Sequence, residues 1–255
     1  MCTVTLVQLR SGSAPNPKMR LVCNRDELRT RPRSLPVETR RADDVVIVMP
    51  VDPVSGGSWI GLNNHGLVAC LLNATPAYAA HDCFSRATRG TIVPSLLQLH
   101  SLEEALDAAS RLEAHAHPPF RVLVHDPIRF LVISSDGSAL SLSEARLHHE
   151  PLLLTSSGLG DHHAEAARRP LFHQMMTAVS DPTRPQDQFH AHRGEDQPEL
   201  SVRMARADAR TVSVTVVELH DTFGRMTHTM LGDDLLPEGT PTNTRLSLCC
   251  TEPAG

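Results

Sequence analysis

The chain begins Met1-Cys2-Thr3-Val4-Thr5-Leu6-Val7-Gln8-Leu9-Arg10 and returns at Met19-Arg20-Leu21-Val22-Cys23-Asn24-Arg25-Asp26-Glu27. Both stretches are short, apolar and β-branched, a composition that suits strands. Ser, Gly, Pro and Asn residues between them mark a turn. The two stretches therefore read as a first hairpin, with the second strand running back beside the first. The polar run Asn24-Arg25-Asp26-Glu27 closes that second strand. The antiparallel return brings Asp26 into the neighbourhood of Cys2.

Cys2 carries chemistry only if its own amine is free. Methionine aminopeptidase removes Met1 when the next residue is small, and Cys qualifies. The α-amine left behind has a pKa of ~7.7–8.0, so a useful fraction is neutral at pH 7. One residue then supplies both a nucleophile and a base. The thiol, ordinarily near ~8.5, needs a cation to become a thiolate. The amine needs a partner to hold it, and acyl transfer needs donors for an oxyanion.

Further strands are legible along the chain. "DVVIVMP" (44–50) is one, and "SWIGL" (58–62) and "LVACLLN" (67–73) flank the turn Asn63-Asn64-His65-Gly66. "FRVLVHD" (120–126) pairs with "RFLVISS" (129–135), and "VSVTVVEL" (212–219) with "RMTHTML" (225–231). These runs are too apolar to have one wet face, so they read as sheets covered on both sides. Residues 101–115 form a helix opened by a capping box, Ser101 with Glu104. Residues 89–100 are a second helix with Pro94 in its first turn, and 162–179 a third that starts or kinks at Pro170. Asp181 to Glu199 is polar and Pro-rich and reads as a long surface loop. The pattern is α+β, and residues 1–255 read as one domain.

Composition narrows the function. The 255 residues are 40% hydrophobic and 21% charged, with a net charge of -5. That balance gives no basic face for nucleic acid. No apolar run is long enough to span a bilayer, and the N-terminus lacks the marks of a signal peptide. The expected compartment is the cytoplasm, where the six cysteines would stay reduced. No metal site is expected. Cys249 and Cys250 are adjacent and diverge, and so do the histidine pairs 148–149 and 162–163. His190 and His192 could share a face, but no carboxylate or cysteine at a usual spacing completes a set. Ser156-Ser157-Gly158 lacks a nucleophile-elbow context, and neither Gly56-Gly57 nor Gly158-Leu159-Gly160 is a phosphate loop. Trp59 reads as core.

"MC" at the start, "CNRDE" (23–27), "GGSWIGLNNHGLVACLLN" (56–73) and "RG" (89–90) before a helix resemble the NRDE family. Its eukaryotic members are the transport and Golgi organisation 2 proteins. The resemblance runs from Cys2 through Leu219 and thins between Pro118 and Pro198. The family is similar to N-terminal nucleophile hydrolases, in particular the cysteine branch of penicillin V acylases and bile salt hydrolases. The resemblance therefore implies a four-layer αββα sandwich.

It also implies roles. Cys2 matches the N-terminal nucleophile, and Asp26 the aspartate beside it. Asn73 matches an asparagine placed to donate to an oxyanion, and Arg210 an arginine that favours the thiolate. Asn24, Arg25 and Glu27 complete the tetrapeptide. Two positions depart from the pattern. Cys23 stands where the acylases carry an arginine. Asp161, in "GLGD" (158–161), stands where many relatives carry an asparagine, and an ionised acid cannot donate a hydrogen bond.

The implied activity is hydrolysis of a small-molecule, non-peptide amide without a cofactor. The alternative is a non-catalytic haem or lipid-related binding and trafficking protein, with haem as its ligand. The partner in either case is a small molecule, and the oligomeric state is not specified by the sequence.

Overall fold

The structure, a computed structural model, describes residues 2–9, 18–75, 87–146, 150–177 and 179–249. Met1, Cys83, His148, His149 and Cys250 fall outside these. Cys2–Gln8 (β1) and Met19–Leu28 (β2) form the expected hairpin at the centre of a six-stranded antiparallel sheet. Leu152–Thr155 (β10) flanks β1. Ala209–Leu219 (β11), Phe223–Met230 (β12) and Thr242–Ser247 (β13) continue beyond β2. A second, seven-stranded sheet runs in chain order: Leu35–Ala42 (β3), Val45–Val51 (β4), Ile60–Asn63 (β5), Val68–Asn73 (β6), Phe120–His125 (β7), Arg129–Ser135 (β8) and Leu140–Arg146 (β9).

Three apolar layers hold four structural layers together. Between the sheets, Val4, Leu6, Leu21 and Val217 interlock with Ile60, Leu62, Val68 and Leu72. Fully burying such a side chain contributes about 2 kcal/mol. Outside the seven-stranded sheet lie Ile92–Leu96 (α1) and Leu102–Ser110 (α2), packed on Met49, Ala69, Val122 and Leu131. Outside the six-stranded sheet lie Asp161–Met176 (α3) and Thr183–Ala191 (α4), packed on Val7 and Leu153 through Phe172, Met176 and Phe189. This is the αββα sandwich, and it explains why the strands are apolar on both faces.

Local readings fare unevenly. The Ser101 cap is present: its Oγ accepts the Glu104 N–H at 3.2 Å. Glu104 reaches back one residue further than a capping box requires, accepting the His100 N–H at 2.9 Å. The polar tetrapeptide stands at the end of β2 as expected, with Leu28 the last residue of the strand and Asn24, Arg25 and Asp26 buried. Two corrections are needed. The helix at 161–176 carries Pro170 in its interior and starts nine residues before it. The segment expected as a loop contains α4, anchored by buried Gln186, Phe189 and His190. Among the described residues no helix is long and apolar enough to cross a membrane.

Candidate active site

The hairpin register decides what surrounds Cys2. Cys2 pairs with Arg25 and Thr3 with Asn24. Side chains alternate along β2, so Cys23 and Arg25 turn toward the other sheet while Asn24 and Asp26 turn toward the α3–α4 layer. Cys2 is 4% exposed. It lines a pocket of about 260 Å³ with Arg25, Asp26, Glu27, Arg31, Asp52, Trp59, Asn73 and Arg89. Of the eight residues singled out from the sequence, this pocket gathers Cys2, Arg25, Asp26, Glu27 and Asn73.

The backbone N–H of Cys2 donates to Ser156 Oγ at 2.9 Å. Ser156, just past the end of β10, is a site residue the sequence reading passed over, since it tested that serine only as a nucleophile. Asp26 is buried and accepts a hydrogen bond from Thr211 Oγ1 at 2.6 Å, with Arg168 Nη2 at 3.8 Å from its second oxygen. Burial raises the Asp26 pKa, and Arg168 and Thr211 pull the other way. β11 shifts register between Thr211 and Ser213, opposite Asp26 and Arg25. Such a bulge re-aims side chains, and here Thr211 meets Asp26. Arg168, on α3, also donates to Thr3 Oγ1 at 2.8 Å and is lowered by its own burial. No sequence motif marked Arg168.

The thiol itself is held neutral. Its pKa is raised well above the usual value by a hydrogen bond with the Cys23 thiol, and further by burial. Cys23 in turn meets Cys70, from β6 of the facing sheet. The departure at Cys23 thus replaces a cation with a thiol that disfavours ionisation.

Arg25 is the buried cation facing the pocket. Its guanidinium lies 4.0 Å from the centre of the Trp59 ring, so Trp59 is both core and pocket wall. It donates to Asp52 at 2.7 Å, and Arg31 binds the same carboxylate through two bonds of 2.8 Å. Burial opposes ionisation of Asp52, but Arg31, the Ser55 N–H and Arg25 outweigh it and hold the carboxyl well below its usual range. Glu27 adds a second acid, 3.2 Å from Arg25. Arg89 completes this wall, donating to the Pro119 carbonyl at 2.8 Å. It is carried by a close backbone approach: a Cβ on Gly57 would fall 2.1 Å from the Gly90 carbonyl oxygen.

Three candidates lie elsewhere. Arg210 was expected beside the thiol. Its Nη1 instead donates to the carbonyls of Thr211, Leu231 and Gly232, its Nε lies 3.1 Å from Asp233, and it lines a different hollow. Arg210 pairs with Glu27, two places along β2 from the Arg25 that stands opposite Cys2. Asn24 points to the helix layer, donating to the carbonyls of His190 and Val202 at 3.0 Å each. Its Oδ1 therefore accepts from His190 Nδ1 at 2.9 Å, which leaves Nε2 to accept from Thr5 Oγ1 at 2.7 Å. His190 is thus in a helix and bound, not half of an extended pair. Asp161 lines a neighbouring hollow and acts as a tie. It accepts the N–H of Ser157 at 2.9 Å and of Thr75 at 3.2 Å, and is also bound by Arg121. It so joins the segment after Ser156 to the segment after Asn73.

A cysteine at the start of a strand inside the six-stranded sheet, in an αββα sandwich, fits the N-terminal nucleophile hydrolase fold. Solved structures agree. Penicillin V acylase from Agrobacterium tumefaciens superposes with a TM-score of 0.55 at 12% identity, covering 96% of this chain and 86% of that one. The Caenorhabditis elegans N-acylethanolamine-hydrolyzing acid amidase ortholog gives 0.58 at 16% identity, covering 85% and 92%. A C2A mutant of conjugated bile acid hydrolase from Clostridium perfringens gives 0.55 at 10%, covering 97% and 92%. These likenesses establish the fold. No curated protein sequence matches the chain. The family model of Transport and Golgi organisation 2 matches residues 1–234, and the chain belongs to that family.

Proposed function

We propose that this protein is an N-terminal cysteine amidohydrolase acting on a small-molecule, non-peptide amide. The observation that carries the reading is the Cys2 backbone nitrogen, held by Ser156 Oγ in a pocket that also presents Asp26 and Asn73. With Met1 removed, that nitrogen is the α-amine.

A neutral thiol suits an amine base. The Cys2 sulfur attacks the substrate carbonyl as the α-amine takes the thiol proton. The carbonyl oxygen becomes an oxyanion, received by the Asn73 side-chain amide. Collapse breaks the C–N bond, and the α-ammonium returns its proton to the departing amine. Water, deprotonated by the same amine, then cleaves the thioester and restores the thiol. Ser156 and Asp26 orient and charge-balance the amine. Arg25 and Arg89 polarise the pocket wall, and Arg210 stands outside this scheme.

Two measurements test it. Intact-mass analysis should show a chain lacking Met1. Wild type, Cys2→Ser and Cys2→Ala should then be assayed against phenoxymethylpenicillin, N-acylethanolamines and bile acid conjugates, the substrate classes named by the structural relatives. Retained Met1, or turnover that survives both substitutions, overturns the reading.

A further inference from the structure

Asp44 and His65 come from two turns of the seven-stranded sheet, and His100 from the connection between α1 and α2. Asp44 sits between β3 and β4, His65 between β5 and β6, and His100 just before α2. His100 Nε2 is 3.2 Å from Asp44 Oδ2, and His65 Nε2 is 3.8 Å from the same oxygen. One ligand atom from each residue lies within 4.8 Å of the other two. The imidazole rings meet edge to face at 4.5 Å between centroids. His65 Nε2 is buried and, among the described residues, makes no hydrogen bond. That ring nitrogen thus faces a carboxylate oxygen 3.8 Å away and a second imidazole.

The segments that carry these groups are locked together by two buried asparagines. Asn64 Nδ2 donates to the Asp44 carbonyl at 2.9 Å, and Asn64 Oδ1 accepts the Val46 N–H at 2.7 Å. Asn63 Oδ1 accepts the His65 N–H at 3.0 Å. Asn63 Nδ2 donates to the carbonyls of Leu97 and Leu99, at 3.0 and 2.8 Å, which fixes the approach to His100. Behind His100, Nδ1 lies 3.4 Å from Glu104 Oε2. A carboxylate on the far nitrogen orients a ligating imidazole and raises its basicity.

We propose that Asp44, His65 and His100 form a divalent transition-metal site of the zinc class. Two imidazole nitrogens and one carboxylate oxygen suit zinc and its neighbours rather than calcium or magnesium. Ligands about 2.0–2.1 Å from a tetrahedral ion stand about 3.3 Å from one another, so the observed spacing needs only small side-chain adjustment. The side chains of His100 and Asp44 are 46% and 69% exposed, which leaves the fourth position to water. None of the three lines the Cys2 pocket. The ion therefore acts as a staple, joining the β3–β4 turn to the start of α2.

The test is zinc chloride titration of the full-length protein after chelator treatment, by calorimetry and by competition with a chromophoric chelator. One ion should bind per chain and raise the thermal midpoint. His65→Gln, His100→Gln and Asp44→Asn should each weaken binding by more than the about 10- to 100-fold that loss of an outer hydrogen-bond partner costs. A control, His162→Gln, should bind as wild type. Cobalt substitution should give the visible bands of a tetrahedral site, lost in His65→Gln. Binding that survives all three substitutions, binding lost equally in the control, or no saturable binding would each overturn the assignment.

Discussion

The Cys2 backbone nitrogen and the Ser156 hydroxyl, 154 positions apart in the chain, meet at 2.9 Å. β10 lies against β1 in register with Thr3 opposite Thr155, so the residue after β10 is delivered to the start of the chain. If this contact holds a catalytic amine, Ser156→Ala should lower kcat by about 10- to 100-fold through misplacement. KM should change little, and Ser156→Thr should restore part of the rate. Steady-state kinetics of the three forms decide it.

Cys23 should set the reactivity of Cys2. Its hydrogen bond is the foremost reason the Cys2 thiol is hard to ionise. In Cys23→Ala the Cys2 thiol should titrate at lower pH and alkylate faster at neutral pH. The measurement is the pH dependence of iodoacetamide labelling at Cys2, read by peptide mass. An unchanged or upward-shifted profile would contradict the assignment.

Asp52 should matter to stability more than its place at a pocket edge suggests. It is 4% exposed and binds both Arg25 and Arg31. Asp52→Ala leaves the buried Arg25 guanidinium with Glu27 as its remaining carboxylate and should cost roughly 2–3 kcal/mol, with Arg31 discounted because it can turn to water. Urea unfolding with an unchanged slope would show this as a lower midpoint.

Acid should destabilise the fold through two buried histidines. Burial depresses both His125 and His228 from 6.5 to about 4. Below pH 6.5 the unfolded chain takes up protons that the folded chain refuses until about pH 4. Stability is therefore full above 6.5 and falls as pH drops toward 4, by roughly 3 kcal/mol for each residue. His228→Gln, which can keep the contacts to Thr215 Oγ1 and Ser34 Oγ, should flatten that fall in denaturant melts between pH 4 and 7.

Arg210 should prove a stability residue. With its guanidinium on three backbone carbonyls, Arg210→Met should lower the thermal midpoint while leaving the pH profile of kcat/KM in place. Arg168→Met, which removes the cation beside Asp26, should move that profile. Paired pH–rate curves separate the two roles.

The hairpin, the doubly covered sheets and the approach of Asp26 to Cys2 were legible because each rests on near-neighbour pattern: alternation, turn residues and strand return. β3 and β9 escaped notice because both are exposed edge strands rich in charge and serine, with no apolar run to mark them. α4 escaped for a related reason. Its sequence, Thr183 to Ala191, is polar almost throughout, and its helix depends on Phe189, Gln186 and His190 finding buried partners in β1 and β2.

The sequence by itself determined the nucleophile candidate, its hairpin and sheets covered on both faces, since these follow from residue type and period along the chain, while the sandwich class came from the family resemblance. Only the tertiary structure decided which arginine stands where. Arg210 and Arg168 are chemically equivalent as text, and the register of β11 and the packing of α3 assign one to backbone carbonyls and the other to Asp26. The same holds for Ser156 and for Asp44, His65 and His100. Their meeting depends on strand register, on the closure of two turns and on the connection between α1 and α2, which no local pattern encodes.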